Sequence, residues 1–152
     1  MSITTHDAKA GERRIDHLLT HYGQTHGHHL NKAIHNFAVP LIMFSLIGLI
    51  YAAHPVAAYL LIGASLVYYF RLSRNCFIVM LAVSAIMLAL VQAMGPLRLE
   101  LSLGIFLVAW VYQFIGHAFE GKKPSFFEDL RYLWIGPLFV LSPVLGKFGL
   151  KW

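Results

Sequence analysis

Residues 37–70 read FAVPLIMFSLIGLIYAAHPVAAYLLIGASLVYYF, 34 consecutive positions without Asp, Glu, Lys or Arg. As one α-helix this stretch would be about 51 Å long at 1.5 Å per residue. The hydrocarbon core of a bilayer is only about 30 Å thick, so the stretch has to fold back on itself. The break falls at His54-Pro55, because proline cannot continue a helix and drives the residue before it into an extended conformation. Residues 37–53 and 56–70 become two spans. Each is slightly short and needs a locally thinned bilayer or interfacial anchors.

The rest of the chain repeats the pattern. Residues 75–97 and 101–119 are also free of Asp, Glu, Lys and Arg, and Gly95-Pro96 is a stop signal between them. Residues 132–146 form a shorter apolar run holding Pro137 and Pro143, a kinked fifth span or a re-entrant segment. Charged residues make up 12% of the 152, against roughly 25% in soluble domains, and mean hydropathy is +0.64. These values exclude a disordered chain and argue against a soluble domain. The expected fold is an all-α polytopic membrane bundle: four spans plus a C-terminal membrane-embedded or fifth segment. We read one membrane domain over 1–152, with 1–36 cytoplasmic or interfacial and 37–146 embedded. The lone cysteine, Cys76, rules out a disulfide framework and a multi-Cys zinc site.

The net charge of +5 follows topology. With four spans, 11 of the 12 Lys and Arg residues share the N-terminal side; Arg98 alone faces the other. The positive-inside rule then puts the N-terminus in the cytoplasm, and nucleic acid is not expected as a partner. The first 36 residues lack the apolar core of a signal peptide and contain seven histidines. Within them, residues 12–23 place Ile15, Leu18, Leu19 and Tyr22 on one face, the pattern of an amphipathic interfacial helix. The short form, without an evident retention signal, points to a bacterial inner membrane, or to the endoplasmic reticulum in a eukaryote.

Counting spans brings His26, His35 and His117 to the same membrane boundary, although 82 residues separate His35 from His117. Gln113, His117 and Glu120 follow at i, i+4, i+7 and line one helical face. His26 and His35 would point to opposite faces of a continuous helix, being nine residues apart (about 900°). They converge only if the chain breaks near Gly27, with Asn31 as N-cap of the helix carrying His35. Imidazoles with one carboxylate suit Zn, Fe or Mn, and with open positions they match non-haem Fe(II) oxygenases. Zinc hydrolases use the same ligands, so spacing leaves both readings open, along with a bis-histidine haem and a non-enzymatic lipid-binding protein. His6, His28 and His29 read as solvated, His17 and His21 as the polar face of the amphipathic helix, and Cys76 as a buried, inert thiol. Lys122 and Lys123 follow Glu120 and can hold the carboxylate of an amphiphile. Gln92, inside the third span, is expected to pair helix to helix.

Two segments carry a resemblance. His26-x4-Asn31-x3-His35-x4-Pro40 enters the first span. Trp110-x2-Gln113-Phe114-x-Gly116-His117, with Glu120-Gly121-Lys122-Lys123-Pro124, closes the fourth. In this order they resemble the small membrane dioxygenases of 2-hydroxy fatty acids, whose yeast member acts in phytosphingosine degradation. The likeness covers roughly residues 22–141. It implies Fe(II)-dependent α-oxidation, in which a 2-hydroxy fatty acid and O₂ give the acid one carbon shorter. It further implies His26, His35 and His117 as iron ligands, Glu120 as a fourth ligand or a partner of one, and Asn31 as a residue that hydrogen-bonds a ligand or caps the helix; Gln113, by its spacing on the face of His117, would orient the site from behind the ligands. Lys122 and Lys123 would then meet the substrate carboxylate, with the acyl tail in membrane lipid.

Overall fold

The computed structural model describes residues 29–120 and 136–147, and every regular element among them is helical. Helix α1 spans His29–Ala53, α2 Pro55–Leu72, α3 Arg74–Ala93, α4 Arg98–Glu120 and α5 Gly136–Lys147. Four helical segments, the last running Gly95–Phe119, are long and apolar enough to cross a membrane. The protein is a polytopic membrane bundle. The expected interfacial helix at 12–23 lies outside the described residues.

The breaks follow local chemistry. His54 is extended (φ −157°, ψ 109°) and Pro55 opens α2, as proline's missing N–H and fixed φ favour at a first helical turn. Ser73 separates α2 from α3, and its hydroxyl accepts the Asn75 N–H at 3.2 Å. Past the end of α3, Gly95 takes φ +57° and a single 3₁₀ turn, Gly95–Leu97, leads into α4.

Helix α1 differs from expectation. It begins at His29, ahead of the uncharged run, and its 25 residues make it about 37 Å long. No thinning of the bilayer is needed for this span. The extra turns form because Asn31 and His35 are buried at the helix interface described below. Asn31 is therefore a residue of the helix and not its N-cap.

Helices α1 and α4 run antiparallel and share the most extensive contact of the bundle. Their seam is lined by small buried residues: Ala38, Ser45 and Gly48 on α1, Ser102, Ala109 and Gly116 on α4. Between membrane helices there is no hydrophobic drive, and close backbone approach through small residues supplies the packing. Gly48 shows how tight the seam is, since an added Cβ would collide with Ser102 Oγ. Large apolar side chains such as Phe37, Leu60, Phe70 and Ile86 point outward, the reverse of a soluble protein and the surface a lipid solvent favours.

A second core joins α2, α3 and α5. Tyr69, Cys76, Met80 and Leu138 are buried together, which accounts for Cys76 as a packed thiol. The 12 residues of α5 rise about 18 Å, too little to cross by themselves, and the helix leans on the bundle through Leu138. At the opposite end from His35, Gln92 donates to the Tyr59 hydroxyl at 3.1 Å and reaches Tyr51 at 3.5 Å, the helix-to-helix pairing expected of it. Arg98 closes the same end, donating to the Val91 carbonyl at 2.7 Å and lying 4.6 Å from the Tyr51 ring centre.

Candidate functional site

Because α1 and α4 are antiparallel, the first turns of α1 lie beside the last turns of α4. Asn31 and His35 are one turn apart on α1; Gln113 and His117 are one turn apart on α4. All four are buried in the seam, His35 3% and His117 8% exposed. The two imidazoles meet edge to face, ring centres 5.3 Å apart and planes at 76°. The structure thus brings together the pair that the span count placed at one boundary, across 82 residues of chain.

His35 Nδ1 pairs with the Asn31 carbonyl at 3.0 Å. A carbonyl only accepts, so Nδ1 carries the hydrogen and Nε2 of the neutral ring carries the lone pair. A backbone carbonyl fixing the tautomer in this way is the usual arrangement behind a metal-binding histidine.

The two amides are the unusual feature. Both polar atoms of the Asn31 side chain and Oε1 of Gln113 are buried without a hydrogen-bond partner among the described residues. An unsatisfied buried polar atom costs about 1–3 kcal/mol, and native structures keep few of them. Three such atoms flank the two buried imidazoles, a donor and two acceptors that a polar ligand could engage.

Gly116 makes the arrangement possible. A Cβ there would lie 2.5 Å from Asn31 Oδ1 and 3.3 Å from Ile34 Cγ2. Glycine leaves room for the Asn31 amide to sit where it does beside His117. Sequence reasoning placed Gly116 in a motif without giving it a task. The available signal was a glycine next to the boundary histidine of a span.

Of the other expected site residues, His26, Lys122 and Lys123 lie outside the described residues. Glu120 ends α4, and its side chain is likewise not described. Among the described residues no three His, Cys, Asp or Glu side chains gather around one point; the described part of the site is the His35–His117 pair with its two amides.

Residues 13–148 match the family described as Mpo1-like, 2-hydroxy-palmitic acid dioxygenase Mpo1-like. The 2-hydroxy-palmitic acid dioxygenase MPO1 of Saccharomyces cerevisiae is 29% identical over 126 residues, covering 78% of this chain and 72% of the yeast protein. No solved structure matches the chain. The match takes in all four spans and both helices that carry the buried histidines, and the chain belongs to the Mpo1-like family.

Proposed function

We propose that this protein is an Fe(II)-dependent dioxygenase that shortens 2-hydroxy fatty acids by one carbon. The family and the yeast relative's activity support an oxygenase of this substrate class. The observation that carries the reading is the His35–His117 pair, buried between two unsatisfied amides at one end of the seam.

The donor set fits the metal. Imidazole is a good ligand for iron, and the hydrogen bond from His35 Nδ1 leaves Nε2 as its donor atom. His35 and His117 would hold Fe(II), with His26 and Glu120 completing the set. When bound, the ion supplies the one-electron chemistry that lets O₂ react with a closed-shell acid. The reaction balances without an outside reductant: RCH(OH)COOH and O₂ give RCOOH, CO₂ and H₂O. The C1–C2 bond breaks, and the substrate provides all four electrons that O₂ accepts.

The remaining residues bind and orient. The Asn31 amide is both donor and acceptor, so Nδ2 serves the substrate carboxylate while Oδ1 accepts from the 2-hydroxyl. Gln113 Oε1 is a second acceptor, one turn from His117. Lys122 and Lys123 offset the carboxylate charge. The buried seam keeps bulk water away from the reacting carbons. With the N-terminus cytoplasmic, the site lies on the reducing side of the membrane, a bacterial inner membrane or the endoplasmic reticulum.

The test is metal content together with O₂ uptake on detergent-purified protein given 2-hydroxypalmitate. About one iron per chain, and uptake that stops on chelation, supports the proposal. Bound zinc, with no uptake after anaerobic Fe(II) loading, overturns it.

A further inference from the structure

On the lipid-facing flank of the α1–α4 seam lies a cavity of about 420 Å³, lined by Leu30, Ala33, Ile34, Ala38 and Leu41 of α1 and Tyr112 of α4. Its lining is almost wholly apolar, and its volume falls in the roughly 300–1,000 Å³ range of small-molecule sites.

Three features tie it to the histidine pair. Ile34 forms part of its wall and is also the residue whose Cγ2 would meet a Cβ on Gly116, next to His117. Ala38 lies one turn below His35 and is buried in the same seam. The cavity also follows the helix: from Leu30 to Leu41 it runs about 16 Å along α1, starting at the level of the two amides and descending into the span. The trough therefore lies along the span, beside the seam that holds Asn31 and Gln113 and parallel to the bilayer's own acyl chains.

We propose that this groove receives the acyl tail of the substrate and that its deep end, at Leu41, determines which chain lengths are accepted. The inference rests on the substrate class proposed above. A tail lying in the groove, and not loose in the bilayer, gives the protein a hold on chain length that the polar head cannot supply.

Two measurements test it. The first uses a 2-hydroxy fatty acid with a diazirine in mid-chain, photolysed with the iron-loaded full-length protein in phosphatidylcholine nanodiscs, with labelled peptides read by mass spectrometry. Label on α1 around Leu41 and on α4 around Tyr112, competed by 2-hydroxypalmitate but not by added phosphatidylcholine, is expected. Label scattered over the lipid-facing surface, or competed equally by phospholipid, overturns the proposal by showing the groove to be a general lipid contact. The second compares turnover of C16 and C8 2-hydroxy acids. Leu41→Trp should cut C16 turnover at least tenfold more than C8, while Leu60→Trp, on the far outer face of α2, leaves the ratio unchanged. An unchanged ratio in Leu41→Trp also overturns it. If wild-type protein binds the photoprobe specifically in the groove yet turns over no 2-hydroxy acid, the proposed reaction fails and the groove stands.

Discussion

Gly116 of α4 and the Asn31 side chain of α1 are in direct apposition: a methyl at position 116 would lie 2.5 Å from Asn31 Oδ1 and push that amide aside. Alanine gains about 1 kcal/mol over glycine in a helix, and overpacking costs roughly 1–3 kcal/mol. Gly116→Ala should therefore fold and melt within a few degrees of wild type. Displacing Asn31 should nonetheless lower iron retention or turnover by about tenfold or more, the usual penalty for disturbing the partners of a metal ligand. Thermal melts and O₂ uptake on the same preparation check this; full activity in Gly116→Ala would detach Asn31 from the site.

His35→Ala and His117→Ala should each abolish iron binding and turnover while leaving the bundle assembled, because the seam from Ala38 to Gly48 does not depend on them. The double variant should be no worse than either single one, since groups that act as a unit are not additive. Elemental analysis beside size-exclusion profiles reads both effects. Stoichiometric iron in either single variant would remove that histidine from the ligand set.

At the other end of the seam, Gly48→Ala drives a methyl into Ser102 Oγ. It should destabilise the protein by about 1–3 kcal/mol, and Ser102→Gly in the same chain should restore much of the loss. Ser102 and Gly116 are 14 residues apart on α4, about 21 Å, so activity per folded molecule should hold. A melt series of the two single variants and the pair decides it; no rescue would mean the contact is not the cause.

Gln92→Leu removes the bonds to Tyr59 and Tyr51. Interhelical hydrogen bonds in membranes average about 0.6 kcal/mol and reach about 1.7, so a shift of that size in an unfolding titration is expected, with turnover intact.

Topology is open to a direct check in cells. With Cys76 replaced by serine, His54→Cys should react with a membrane-impermeant maleimide added outside. Ser73→Cys should react only after permeabilisation. The reverse pattern would invert the bundle and put the histidine pair on the outer face.

Much of this was legible in the residues. The uncharged runs gave four spans, and His54-Pro55 and Gly95-Pro96 gave two of the turns, because charge avoidance and proline sterics act locally. The meeting of His35 and His117 followed from counting crossings. The start of α1 did not. Asn31 and His35 look like the polar approach to a membrane, and only their burial against α4 makes them part of the span. The same gap hid Gly116 and the groove beside Ala33: both depend on which faces of two helices touch, and hydropathy carries no register between helices distant in sequence.

The pairing of the first helix with the fourth also sets an order of events during synthesis. His35 leaves the ribosome before His117, which lies 82 positions further along the chain. Until α4 arrives, His35 has no facing imidazole and the Asn31 side chain has no helix to close over it. The site is thus among the last features of the bundle to form. A nascent chain halted before its final crossing holds one imidazole and one amide of the four, and the full cluster exists only once α4 has been inserted and packed against α1.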